Sequence, residues 1–261
     1  MPVPAYVSTG PSVADNTYGW PTSVTVGAGD APSGVSVGDR VFLVTWAMTS
    51  DKPTGFDHFH VDAPWTHIWG FAAVGGGTPR LDVWTTRWEA GLLPTVVESH
   101  DSSHGSIGPD AGNVYRTWGV CGVVAYSPSY DYGGYDYGVT SGSNPLAQTT
   151  VNSGTFAADG TAVAFGIMAD AGLTLPHHTA NGFTEQRRVF TPSYQSGSPL
   201  TAVHFVVADK AMTSGGDTNA IKWARAPGPA GNTGCQLLVR LDDPDPPIVT
   251  PGGWSVGMLT W

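Results

Sequence analysis

Residues 41–48 of the chain read VFLVTWAM, and residues 161–168 read TAVAFGIM. Both runs are apolar and contain β-branched or aromatic side chains, and a Gly-Asp or Asp-Gly turn precedes each of them. Short apolar runs bounded by turn residues are typical of buried strands. These two stretches therefore predict a β fold with two similar central strands.

A similar order of features follows each of the two runs. An aromatic-Thr pair comes next, then a long strand-like segment, and then a short apolar segment near a cysteine. The matching landmarks stand 120, 118 and 114 residues apart: Asp39 and Asp159, Thr66 and Thr184, Cys121 and Cys235. This spacing predicts a duplicated four-strand unit, or two sheets of similar design that face each other. Because a four-stranded unit cannot bury its own apolar face, the two halves are expected to pack together.

The composition agrees with an all-β fold. The 261 residues include 35 Gly and 21 Pro, which disfavour long helices, while 41% of the residues are hydrophobic, which disfavours disorder. We predict a single antiparallel β-sandwich, jelly-roll-like, with about eight strands in two similar four-strand halves. The predicted divisions are an extended N-terminal arm at 1–30 with one strand at Ser23–Val26, a sandwich at 31–242 and a Pro-rich C-terminal tail at 243–261.

The net charge of the chain disfavours two classes of binding partner. The chain carries 11 Lys and Arg against 21 Asp and Glu, a net charge of −10. Such a chain is a poor ligand for nucleic acid or for an anionic membrane. The opening residues lack the pattern of a signal peptide, and no apolar run is long enough for a transmembrane helix. We interpret Cys121 and Cys235 as buried thiols, with a disulfide between them as the alternative.

The most suggestive recognition segment is the tyrosine-rich stretch 126–137, YSPSYDYGGYDY, which we interpret as a loop. Tyr side chains provide rigid amphipathic contact area, so the loop could contact a glycan or an adjacent protein. The alternative is that its rings only cover one end of the sandwich. The C-terminal tail is expected to dock on a neighbour, to fold back onto its own sandwich or to be disordered. The predicted interaction residues are Tyr130, Tyr132, Tyr135, Tyr137, Trp254 and Trp261.

Histidines provide the weak candidates for a metal site. His58 and His60 share one face of a strand if the segment is extended, and imidazole is a common metal ligand. No third ligand is evident beside them, so a solvated loop is the favoured interpretation and no metal or other cofactor is expected. The sequence lacks the common nucleophile, zinc-protease, P-loop and dinucleotide motifs, so we predict that the protein is not an enzyme.

The succession GDRVFLVTWAM, APWTHIWGF, RLDVWTTRWEAG and VCGVVAYSPSY resembles a pattern in minor tail proteins of phages that infect actinobacteria. The resemblance covers roughly residues 35–242. Two features depart from the family pattern: residues 63–66 lack the expected Gly, and residues 125–127 lack the expected Arg. The resemblance implies a β-sandwich virion component without enzymatic activity, and it transfers no catalytic residues.

These observations predict a non-enzymatic virion protein, with a minor tail or tail-tip location favoured over the head. A capsid decoration protein and a carbohydrate-binding receptor module are the alternatives, and a hydrolase that uses the His and Asp loops is a third. The expected partners are other phage structural proteins, further copies of the chain in a trimer, and a host cell-wall glycan.

Overall fold

The computed structural model is built of antiparallel strands. It describes residues 2–14, 23–49, 58–72, 78–100, 116–140, 150–151, 154–170, 177–179, 182–193, 201–216, 221–225 and 233–244. Within these residues, one short 3-10 turn at Ala28–Asp30 accompanies the strands. The predicted all-β antiparallel fold is therefore confirmed.

The first half of the chain forms a large and a small sheet. The large sheet has the order β1-β9-β4-β7-β6, with β2 also paired to β9, and the small sheet has the order β3-β8-β5. Their strands are β1 (Ala5–Thr9), β2 (Val13–Ala14), β3 (Ser23–Val26), β4 (Arg40–Thr49), β5 (His58–Val61), β6 (Thr66–Ala72), β7 (Thr78–Arg87), β8 (Thr95–His100) and β9 (Arg116–Ser127).

The second half repeats this arrangement. Its large sheet has the order β10-β17-β12-β15-β14, and its small sheet has the order β11-β16-β13. Its strands are β10 (Tyr130–Thr140), β11 (Thr150–Val151), β12 (Gly160–Asp170), β13 (His177–Thr179), β14 (Thr184–Ser193), β15 (Thr201–Met212), β16 (Ile221–Arg225) and β17 (Thr233–Pro244).

The two halves have the same topology. Apart from β2, each half has eight strands, with the order first-eighth-third-sixth-fifth in its large sheet and second-seventh-fourth in its small sheet. Each half therefore resembles a jelly roll whose fifth strand lies beside the sixth in the large sheet. The two halves are similar, as predicted, but each contains eight strands rather than the predicted four, so the predicted total of about eight strands is wrong. The long strand-like segments of the sequence are β4, β6, β7, β9, β12, β14, β15 and β17, and the predicted strand at Ser23–Val26 is β3. The long strand β10 and the other short strands were not predicted.

The two large sheets share one apolar core. Alternate residues of β4 and β12 point between the sheets, and the ring centroids of Phe42 and Phe165 lie 5.2 Å apart. Both rings are fully buried. The same core continues on the neighbouring strands, with Leu81 and Val83 of β7 and Val207 of β15. The two units thus bury their large sheets against each other, as expected for two halves of similar design.

A second apolar cluster lies on the outer face of the first large sheet. The small sheet β3-β8-β5 covers this face with Val26, Phe59 and Val97, which pack against Leu43 and Trp84. A third cluster, which includes Phe156, Phe183 and Leu238, lies on the outer face of the second large sheet. Trp84 and the other tryptophans of these clusters belong to the core, as predicted: Trp46, Trp65 and Trp69 are also buried.

Equivalent contacts connect the two units in both directions. Arg40 begins β4, and its Nε donates a hydrogen bond to the carbonyl oxygen of Tyr130, 2.9 Å away, at the start of β10. Thr161 near the start of β12 donates its hydroxyl to the carbonyl oxygen of Pro4, just before β1. The two donors occupy matching places, because Arg40 pairs with Tyr126 of β9 and Thr161 pairs with Leu241 of β17. Each unit therefore donates a side-chain hydrogen bond to the backbone of the other.

The prediction of an extended arm at residues 1–30 is wrong for the part that the structure describes. Strands β1 and β2 pair with β9, and β3 pairs with β8, so this segment completes both sheets of the first unit. The segment forms strands instead of an arm because the edges of β9 and β8 offer it backbone hydrogen bonds. At the other end, β17 continues to Pro244, and the predicted contact residues Trp254 and Trp261 lie outside the described residues.

Two further expectations concern thiols and membranes. Cys121 is a buried thiol in β9, as predicted, and Cys235 lies in β17. Among the residues that the structure describes, no helix has the length and apolar character needed to cross a bilayer.

Candidate interaction surface

The tyrosine-rich segment forms strands rather than the predicted loop. Tyr126 lies inside β9 and is fully buried, and residues from Tyr130 onward form β10. Strand β10 pairs with β17 on one side and stands at the end of its sheet. The glycines suggested a loop, but a strand at a sheet edge tolerates them, and Pro128 lies in the short connection between β9 and β10.

The first part of β10 is anchored in the protein. Tyr130 is buried, its hydroxyl donates a hydrogen bond to the carbonyl oxygen of Pro2 at 3.3 Å, and its own carbonyl oxygen accepts the bond from Arg40. Arg40 also forms an ion pair with Asp131, with 3.5 Å between Nη2 and Oδ1. Tyr132 is half-buried and packs against the shared core. These residues hold β10 in place and leave little of Tyr130 and Tyr132 for a partner.

The second part of β10 presents its tyrosines to solvent. The side chains of Tyr135 and Tyr137 are 43% and 47% exposed, and they lie on the same side of the strand. The Tyr137 ring stacks on the ring of Trp69 in β6, with 4.8 Å between centroids and 29° between planes. Trp69 is itself buried, so it supports one face of the Tyr137 ring. The result is a fixed aromatic surface at the edge where the two large sheets meet.

Two glycines allow neighbouring side chains to pass close to β10. A Cβ atom on Gly133 would lie 1.9 Å from Oδ1 of Asp242, and one on Gly134 would lie 2.7 Å from Nη2 of Arg240. The Arg240 guanidinium donates hydrogen bonds to the carbonyl oxygens of Gly133 at 2.6 Å and Thr155 at 2.5 Å. The glycine pair thus gives β10 a bulged path around a buried carboxylate and a guanidinium.

Acidic residues lie along β10 and beside its first part. Asp136 lies between Tyr135 and Tyr137, and its carboxylate accepts a hydrogen bond from the Tyr137 backbone N–H at 2.8 Å. Asp243 of β17 is exposed and pairs in register with Asp131. The acidic residues along this edge disfavour an anionic ligand.

Histidines of the first unit lie in β5, β6 and β8. His58 and His60 are in β5, and the side chain of His60 is exposed. His67 is in β6, where its Nε2 lies 3.3 Å from Oδ1 of the buried Asp82. Among the side chains that the structure describes, no group of three His, Cys, Asp or Glu residues is arranged to hold a metal ion.

A buried carboxyl group lies at the contact between the two units. Asp209 of β15 accepts hydrogen bonds from the Tyr126 hydroxyl at 3.2 Å and from Nε2 of Gln186 at 2.9 Å. Loss of hydration raises the pKa of Asp209 above its ordinary value near 3.8, although both hydrogen bonds act in the opposite direction. Burial, together with the nearby Asp209 carboxylate, also raises the pKa of Tyr126 well above its ordinary value.

The raised pKa of Asp209 predicts a specific pH dependence of stability. The folded chain retains this proton at pH values where the unfolded chain has released it, so the group favours folding below the unfolded pKa. That contribution is lost as the pH rises through the folded pKa. We expect Asp209→Asn, which keeps an acceptor and the size of the side chain, to remove this loss.

Urea unfolding of the wild type and of Asp209→Asn from about pH 4 to about pH 8 measures the effect. The wild type should lose stability relative to the variant as the pH rises. A relative gain by the wild type over the same range would contradict the assigned direction.

Sequence reasoning found the tyrosines but missed the residues that arrange them. Arg40, Trp69 and Arg240 are distant in sequence from β10, and no local motif marks them. Comparisons of the chain with family models, curated proteins and solved structures gave no match.

Proposed function

We propose that the chain is a non-enzymatic structural protein of a bacteriophage virion, a minor tail or tail-tip component that packs against neighbouring virion proteins and contacts the host surface. The observation that carries this proposal is the edge of β10, where Tyr135 and Tyr137 stand exposed on a strand fixed to the core. The sequence resemblance to minor tail proteins is the reason for proposing a phage tail as the assembly.

The edge of β10 suits association with another protein for two reasons. A strand at the end of a sheet presents backbone hydrogen-bonding groups to a partner strand. Tyrosine rings held in one orientation add contact area with a small loss of side-chain entropy. The duplicated scaffold behind them resists deformation because both units share one core.

The location on the virion can be tested directly with purified phage particles. Immunogold labelling with an antibody against this chain, combined with mass spectrometry of separated heads and tails, should place it on tails. Detection on heads would favour the alternative, a capsid decoration protein. Absence from particles would overturn the proposal of a structural role.

Substitution of the exposed tyrosines tests the surface itself. We expect Tyr135→Ala to reduce incorporation into particles by about tenfold or more, because exposed aromatic anchors often dominate binding energy. Tyr137→Ala should also reduce incorporation into particles. Because it removes the stack on Trp69, it should in addition lower the free energy of unfolding by about 1 kcal/mol.

A control is Val37→Ser, because Val37 is 66% exposed and lies before β4, outside β10. This variant should be incorporated like the wild type. Normal incorporation of Tyr135→Ala, with normal folding, would show that the β10 edge is not the contact surface.

Glycan binding is a second candidate for the same surface. The ring of Tyr137, held in place on Trp69, offers an aromatic face, a feature that suits sugar rings. Titration with host cell-wall polysaccharide should change the intrinsic fluorescence of the wild type and leave Tyr137→Ala unchanged. A flat response of the wild type would exclude this candidate for the polysaccharide tested.

A further inference from the structure

The outermost strands of the two large sheets pair less regularly than the strands between them. A register shift interrupts the pairing of each outermost strand, β1, β6, β10 and β14, with its neighbour. Three of the four inner pairings, β4 with β7, β12 with β15 and β12 with β17, run without a shift. Bulges at a sheet edge are one of the ways in which proteins discourage a further strand from pairing there.

Strand β10 is the edge strand with a long regular stretch beside the exposed tyrosines. Both of its register shifts lie in its first part, before Gly134. From Gly134 to Thr140 the strand pairs with β17 without interruption, and this stretch contains Tyr135 and Tyr137. The bulges therefore do not protect the part of the edge that faces a partner, and another form of protection is needed there.

Two aspartates of β10 occupy backbone N–H groups of their own strand. Oδ1 of Asp131 accepts a hydrogen bond from the N–H of Tyr132 at 2.9 Å, and Oδ1 of Asp136 accepts one from the N–H of Tyr137 at 2.8 Å. In both cases the carboxylate bonds to the residue directly after it. An N–H group has one hydrogen, so a donor that is engaged in this way is not offered to a second strand. Asp136 thus closes a backbone donor within the regular stretch.

We propose that Asp131 and Asp136 are edge caps, which keep β10 from pairing with β10 of another copy of the chain. A pairing strand has to displace the carboxylates and supply donors to them in exchange. Residues 130–140 contain no Lys or Arg, so a second β10 brings no charged donor and adds like charges to the contact.

The caps also distinguish between kinds of partner. A different protein that presents Lys or Arg on its own strand can make the exchange, because a charged donor compensates the displaced carboxylate. The caps therefore favour a foreign partner over self-association at β10. This preference for a foreign partner rests on the proposed function, whereas the caps themselves do not depend on it.

Matched variants of the purified full chain test the caps. Asp136→Ala removes the acceptor, whereas Asp136→Asn removes the charge and keeps a side-chain oxygen that accepts the same bond. Asp243→Ala removes an equal charge from the neighbouring strand β17, where Asp243 is exposed. Amide hydrogen exchange resolved by NMR measures the Tyr137 N–H, and sedimentation velocity at increasing protein concentration measures association.

Asp136→Ala is expected to change both measurements. The Tyr137 N–H should exchange about fivefold faster at low protein concentration, because its hydrogen bond is lost. At high concentration the variant should form dimers in which the amides of residues 130–140 gain protection. The wild type, Asp136→Asn and Asp243→Ala should gain no such protection.

Four results would overturn the proposal. They are an unchanged exchange rate of the Tyr137 N–H in Asp136→Ala, faster exchange without association, concentration-dependent protection of β10 in the wild type, and equal association by Asp136→Asn or Asp243→Ala. The last result would assign the effect to charge alone. All of these outcomes are measured on the purified chain, so they are separate from the particle assays that test the proposed function.

Discussion

Replacement of Phe165 by Ala is expected to lower the free energy of unfolding by about 3–5 kcal/mol, the largest effect that we predict. The ring is fully buried between the two large sheets, 5.2 Å from the ring of Phe42 in the other unit. The large loss follows because removal of the ring leaves a cavity that both units line. Chemical denaturation monitored by tryptophan fluorescence measures the change.

A double-mutant cycle shows whether this loss arises from the contact between the units. Phe42→Ala and Phe165→Ala should couple by about 0.5–1.5 kcal/mol, as expected for an aromatic pair in contact. Leu238→Ala is the matched control, because Leu238 is buried on the opposite face of the same sheet. Its effect should add to that of Phe42→Ala. Additivity of the two phenylalanine substitutions would contradict the shared core.

Gly160→Ala is expected to destabilise the protein by about 3 kcal/mol through a backbone collision. A Cβ atom at Gly160 would lie 2.1 Å from the carbonyl oxygen of Leu241 and 3.0 Å from the Cα of Asp242. Both atoms belong to the backbone of β17, so the clash cannot be relieved by rotation of a side chain. The start of β12, including the Thr161 contact to the other unit, must move instead.

The control for this substitution is Gly29→Ala. A Cβ atom at Gly29 has no heavy atom within 4 Å, so the stability should change by less than about 0.5 kcal/mol. Thermal unfolding of both variants provides the comparison. If Gly160→Ala unfolds at the temperature of the wild type, the close approach of β12 and β17 is not as described.

The long strands could be predicted because their residues obey local rules. The segment 41–48 lies within β4, and 161–168 lies within β12, since apolar runs of this length between turns have few alternatives. The short strands could not be predicted in the same way. The segments HFHV and HHT carry polar histidines, and they become strands β5 and β13 through pairing with distant partners.

The candidate surface also depends on contacts between residues that are distant in the sequence. Tyrosine content marked residues 126–137 as a candidate recognition segment, but Gly133 and Gly134 made it resemble a loop. Their role depends on Asp242 and Arg240, about a hundred residues later in the sequence. The division between anchored Tyr130 and exposed Tyr137 likewise depends on tertiary contacts that no local pattern encodes.

The turn between β9 and β10 has a consequence for how the two units behave on dilution. Strand β9 ends at Ser127 and β10 begins at Tyr130, so a very short connection joins two units that resemble a pair of subunits. Such a tether keeps the local concentration of one unit around the other high, whatever the amount of protein in solution. In two identical chains, every substitution would appear twice. Here one unit carries His60 opposite Glu98 while the other carries His177 opposite Arg225, so covalent fusion permits the two copies to specialise separately.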